Sequence, residues 1–135
     1  MQLNKYGKIV RECWVEIPRH FPNVSLDQSI IMPNHFHGIV TINDYVGAQH
    51  AAPLHERGII SRIKPGGIPA IVRSFKSAVT KNIRALSQMP TRIVWQRNYY
   101  EHVIRADKLD RVREYIQNNP AQWNLDKYYS DKTVI

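Results

Sequence analysis

His35-Phe36-His37 is the first group of residues whose types and spacing bear on chemistry. On a β-strand, side chains two positions apart point to the same face, so both imidazoles would stand side by side. Neutral imidazoles so placed can share a divalent metal ion. Phe36 would point the other way, into a core. A lone His-x-His also arises by chance as a structural pair, so the motif needs a partner.

Tyr115 offers one. At about 100° per residue, Lys108, Arg111, Tyr115 and Asn119 form a ridge beside the apolar stripe Leu109–Val112–Ile116. The bland reading is a core-edge aromatic with its hydroxyl in water. The chemical reading is a phenolic nucleophile, two cations for phosphate, and an amide oxygen four residues on that can bind metal. Asn119 precedes Pro120, which disfavours helical geometry at Asn119 and leaves its aim open. Together, two histidines and an amide would hold Mg²⁺ or Mn²⁺ as a Lewis acid on a phosphodiester, and Tyr115 would attack phosphorus. A phenol keeps its proton at neutral pH, so that proton must leave before attack. The chain has no Gly-rich Lys-Ser/Thr phosphate loop, which agrees with cleavage and rejoining through a covalent link without a nucleotide.

Several elements must position these groups. Ile9, Val10, Cys13, Trp14 and Ile17 recur at helical spacing, and Pro18 and Pro22 are expected to close that helix. Two β-rich runs, near Val24–Met32 and His35–Ile42, flank the turn signal Pro33-Asn34 and predict a β-hairpin. Residues 44–67 have no steady periodicity and read as a long variable loop. A long amphipathic helix follows, with Pro69 in its first turn and Ile71, Val72, Phe75, Val79, Ile83 and Leu86 on its apolar face. Arg73, Lys76, Lys81 and Arg84 lie opposite. TRIVWQRNYYEHVIR carries strand-type residues that alternate at Tyr100, His102 and Ile104. Asp107 is the expected N-cap of the tyrosine helix, which Pro120 would end. A tail spans 121–135. The order helix, hairpin, helix, strand, helix predicts one α+β domain over 1–135, on an antiparallel sheet with packed helices.

Composition supports this reading without deciding it. The chain has 135 residues, 43% hydrophobic and 22% charged, an ordinary globular balance. Nineteen Lys and Arg against eleven Asp and Glu give a net charge of +8, which favours a polyanionic partner, although many basic proteins bind no nucleic acid. No apolar run approaches the ~20 residues of a membrane-spanning helix, so no membrane partner is expected. No signal-peptide pattern opens the chain, and the single Cys13 cannot form an internal disulfide. Both fit a cytoplasmic, nucleoid-associated protein.

MPNHFHGIV resembles the HUH motif of REP-associated tyrosine transposases, in which U is a bulky apolar residue. VWQRNYYEHVIR followed by REYIQNNP resembles that family's second signature, and PAIVRSFKSAVTK is similar to its middle helix. The resemblance implies a ferredoxin-like, RRM-like HUH domain that nicks and rejoins single-stranded DNA beside hairpins through a 5′-phosphotyrosine intermediate. It makes Tyr115 the nucleophile and His35, His37 and Asn119 the metal ligands. DNA-backbone contacts would come from Arg73, Lys76 and Arg84, with Lys108 and Arg111 beside the tyrosine. Some relatives are homodimers in which the tyrosine helix serves the partner's histidines. Relatives usually begin with a further strand before the first helix, so the sequence reads as lacking that first strand. Tyr99 and Tyr100 read as sheet packing in at least one case, and His102 as structural. Two rivals stand beside this reading: a remnant that binds DNA hairpins without cutting them, and a His-metal hydrolase of small phosphoesters using water as nucleophile.

Overall fold

A computed structural model describes residues 2–43 and 67–121. The loop expected at 44–67 and the tail expected at 121–135 lie outside these residues, except for Gly67 and Ala121. Helix α1 (Lys5–Val15) starts where the Asn4 side chain accepts hydrogen bonds from Tyr6 N and Gly7 N, at 3.0 and 2.8 Å. Those contacts satisfy amide groups that a helix start would otherwise leave bare. Pro18 does not simply close this helix. It sits in the first turn of a second, short helix, α2 (Ile17–His20), where its missing N–H costs nothing.

Strands β1 (Val24–Ile31) and β2 (Phe36–Ile42) pair antiparallel, from Val24 opposite Ile42 to Ile31 opposite Phe36. Met32 N–H donates to His35 O at 2.9 Å and closes the turn over Pro33 and Asn34. A bulge interrupts the ladder between Leu26 and Ser29. Helix α3 (Ile68–Ser87) stops at Gln88, whose left-handed φ of 54° lets Met89 N–H reach back to Arg84 O at 3.2 Å. A 3₁₀ turn (Ala106–Lys108) leads into α4 (Leu109–Asn118).

The core forms on one face of the hairpin. Val10, Trp14 and Ile17 from the α1–α2 region meet Ile71, Phe75, Val79 and Ile83 of α3, with Phe36, Val40 and Ile42 of β2 packed against them. The Trp14 ring lies 4.8 Å from Phe36 and 5.7 Å from Phe75, both near edge-to-face, the favoured aromatic geometry. Gly38 is needed for this approach. A Cβ there would lie 2.7 Å from Trp14 Cζ2 and closer still to Trp14 Cη2. The opposite face carries buried Ile39 of β2, and α4, with its buried Ile116, packs on β1.

The α+β class with a two-stranded antiparallel sheet and packed helices is what the periodicities implied. The sheet among the described residues has two strands. Other expectations fail. No strand forms within 91–105, and Ile93, Tyr100 and Val103 are at least 86% exposed. Strand-type residues make a strand only where a neighbouring backbone completes the ladder, and none of the described segments does so here. Finally, Asp107 lies inside the 3₁₀ turn and caps nothing, since Lys108 is the residue before α4 and has no side-chain cap. At the edge of the α3 stripe, Leu86 is half exposed rather than buried.

Candidate functional site

β2 begins at Phe36, so His35 is the last residue of the turn rather than a strand residue. The two rings nevertheless meet. The His35 and His37 centroids are 4.9 Å apart with planes at 74°. Phe36 between them joins the aromatic core, as strand alternation requires.

α4 brings the other two candidates to the same place. The Tyr115 ring lies 6.0 Å from that of His37, edge-on, and the tyrosine is 57% exposed. Asn119 Oδ1 is 3.3 Å from His35 Nε2, and Asn119 is the one buried polar residue among those described. Asn119 keeps helical geometry, φ −55° and ψ −42°, despite the proline after it. The pre-proline preference is a local steric bias, and it does not decide the geometry here. Residues 84 positions apart thus meet side chain to side chain.

The hydrogen bonds around His35 bear on its use as a ligand. Both ring nitrogens face side-chain carbonyl oxygens, Nδ1 that of Asn34 and Nε2 that of Asn119. A neutral imidazole has one N–H, so it donates to one of them and presents a lone pair to the other, which is an acceptor. Two facing acceptors repel unless a cation joins them, the ring takes a second proton, or the amide turns over. Neighbouring ligands on an octahedral ion stand about 3 Å apart, so the pair fits a shared hard cation. Imidazoles that bind metal are commonly oriented by a contact of this kind on the other ring nitrogen. Among the described residues, no three His, Cys, Asp or Glu side chains form a metal-holding group. A metal ion held here by three side chains would need a donor outside that set, and the Asn119 amide oxygen is within reach of His35.

The basic residues divide. Lys108 and Arg111 are exposed on or beside α4, Arg111 one turn before Tyr115. Arg73, Lys76 and Arg84 belong to α3, whose buried side chains pack on the other face of the hairpin. Lys76 Nζ donates to Gln96 O and Asn98 O, both at 3.1 Å, and lies 5.7 Å over the Trp95 ring. Arg84 Nε donates to Arg92 O at 3.0 Å. Both cations strap the 92–98 segment along α3. A surface groove of about 750 Å³ runs there between Lys76, Lys81, Arg84 and Trp95, and His35, His37, Tyr115 and Asn119 are not among its lining residues. Tyr99 and Tyr100 are exposed and outside any sheet, so the sheet-packing reading fails for both. His102 is exposed too, so it is no core histidine.

Sequence reasoning missed one strong interaction beside the site. Arg113 of α4 grips Asp27 of β1 with two nitrogens, Nη2–Oδ2 at 2.6 Å and Nε–Oδ1 at 3.0 Å. The Arg113 guanidinium, helped by the Gln28 N–H, holds the Asp27 carboxyl below its usual value. Asp27, and then Asp110, hold the Arg113 guanidinium still further above neutrality. The available signal was an aspartate inside an otherwise β-rich run, a residue strands disfavour.

The chain is 45% identical over 136 residues to an uncharacterized protein of Haemophilus influenzae, an alignment covering 97% of this chain and 73% of that protein. The chain belongs to the same family as that protein. No family model matches the sequence, and no solved structure matches it.

Proposed function

We propose that this protein is a single-tyrosine DNA-nicking and rejoining enzyme of the HUH type, of the REP-associated tyrosine transposase kind. One observation carries the reading: His35 and His37, at the turn and start of β2, meet Tyr115 of α4 and Asn119 at its C-terminal end. The α+β scaffold, a histidine-bearing hairpin flanked by helices, suits an HUH domain.

In this reading His35, His37 and Asn119 hold a divalent cation, Mg²⁺ or Mn²⁺. When bound, that ion would supply Lewis-acid polarisation of the scissile phosphate. The chain's own residues do the rest. Asn34, beside Nδ1, would favour the tautomer that leaves His35 Nε2 free for the ion. Arg111 and Lys108, exposed beside Tyr115, attract the DNA backbone. The Tyr115 hydroxyl, open to solvent, loses its proton and attacks phosphorus. A P–O bond to tyrosine forms, the P–O3′ bond breaks, and the 3′-oxygen leaves and is protonated. The 5′-phosphotyrosine keeps the phosphodiester energy, so rejoining is the reverse attack by a 3′-hydroxyl. The partner is single-stranded DNA carrying hairpins.

The test is incubation with end-labelled hairpin single strands from the protein's own genome, with Mn²⁺ or Mg²⁺. A denaturation-resistant adduct, lost in Tyr115→Phe and in His35→Ala, is the expected result. Folded protein that binds the hairpin and forms no adduct would leave a DNA-binding remnant instead. Phosphoester turnover surviving Tyr115→Phe would make it a hydrolase.

A further inference from the structure

α4 carries the nucleophile, yet apolar packing holds it weakly. Ile116 is the only buried residue within its ten positions. Leu109 and Val112 are half-buried beside it. So small an apolar seam resists rotation of a helix about its axis or sliding along it only weakly, because the hydrophobic effect is non-directional. One residue of slippage would shift Tyr115 by about 1.5 Å and turn it by about 100°.

The bulge in β1 supplies a directional contact. Between Leu26 and Ser29 the ladder loses register, leaving Asp27 and Gln28 as the irregular residues. Gln28 N–H donates to Asp27 Oδ1 at 2.7 Å and orients the carboxylate. Bulges commonly re-aim a side chain in this way. Arg113 meets both carboxylate oxygens, and its Nη1 donates to Asp110 Oδ1 at 2.8 Å one turn earlier. A planar fork held on two sides specifies orientation as well as attraction. On the helix wheel Arg113 and Tyr115 are about 200° apart, with Ile116 near the seam between their flanks. The ion pair, Ile116 and the Asn119–His35 contact therefore pin α4 at three separate points.

We propose that Asp27 and Arg113 are positioning residues, and that this ion pair at the β1 bulge sets the register of α4 so that Tyr115 stands against His37. The inference rests on Tyr115 being the nucleophile; the geometric part stands apart from it. Neither residue touches DNA or metal in this account. Their effect should fall on the chemical step and not on substrate binding.

Two readouts on the full chain decide it. The variants are Asp27→Asn, which keeps an acceptor for Gln28, and Arg113→Lys, which keeps the charge and loses the fork. The first readout is the rate of Tyr115–DNA adduct formation against DNA concentration. A roughly 10- to 100-fold fall in the saturated rate, with half-saturation moving less than about threefold, is expected from misplacement on the ångström scale. The second is the nuclear Overhauser contact between the His37 and Tyr115 rings without DNA, which should weaken in both variants while the aromatic-core contacts of Trp14 persist. Saturated rates within about twofold of wild type, or an undiminished His37–Tyr115 contact, would overturn the clamp. If wild type makes no adduct, the functional reading fails, and the ring contact still decides the positioning role. If Asp27→Asn does not fold, Arg113→Lys carries both readouts.

Discussion

The two faces of the β1–β2 hairpin are held by different physics. Toward α1 and α3 the contacts are aromatic and crowded: Phe75 lies 5.3 Å from Phe36 and 5.8 Å from Trp95, and Val79 is fully buried. Toward α4 one helical isoleucine is buried, with Ile39 on the strand, and the directional contacts are an ion pair, an amide on an imidazole, and a tyrosine edge-on to another imidazole. Burial is insensitive to direction and scales with area, so the first face supplies cohesion. Hydrogen bonds and ion pairs are directional and individually modest, so the second face supplies geometry. Stability and activity should therefore separate along the plane of the hairpin.

The sharpest test of that separation is Tyr115→Phe. Adduct formation should fall by more than about 10³-fold, because the proposed nucleophilic oxygen is gone, while the urea midpoint stays put for so exposed a ring. Phe75→Ala should do the reverse. Unfolding free energy from urea titration should drop by about 3–5 kcal/mol, the usual cost of an emptied aromatic site. Whatever protein remains folded should still hold His37 against Tyr115. Gly38→Ala should cost about 1–3 kcal/mol by overpacking, because the new methyl must displace Trp14, a ring wedged between Phe36 and Phe75. A comparable loss from Phe75→Ala in adduct rate per folded molecule would break the comparison.

Smaller effects sharpen the α4 side. Mn²⁺ should raise the Tm of wild type and leave that of His35→Ala unmoved, since a ligand of the folded state alone stabilises it. An equal rise in both would place the ion elsewhere. The Asp27 carboxyl titrates below its ordinary value near 3.8 when folded. Its contribution is thus complete above that ordinary value and is lost as pH falls through the lower folded one. The urea-midpoint gap between wild type and Asp27→Asn should stay constant down to about pH 4 and then close. A gap that widens in acid would contradict the ion pair. Smallest of all, the partly buried Cys13 thiol, raised by desolvation and countered by the Asn82 amide, should alkylate more slowly than free cysteine.

Periodicity in the sequence announces α1, the hairpin and α3, because a helix stripe or a strand alternation is written within a dozen residues. The same local rules mark His35, His37 and Tyr115 as candidates through spacing and residue type. They mislead where a segment's fate depends on a distant neighbour. Residues 99–105 have strand chemistry and no ladder partner among the described residues; Lys76 and Arg84 are spoken for by the carbonyls of residues 92–98. Asn119 carries a local bias against the helix and remains helical against His35.

Composition and pattern alone thus determined an α+β chain, basic, with a histidine-bearing hairpin and a tyrosine-bearing helix. That the two meet, and that Asp27 at a bulge grips Arg113 to hold them together, emerged only on folding. Hydrophobic pattern is a property of neighbours along the chain, while a directional contact between residues 86 positions apart exists only once the whole chain has closed around it.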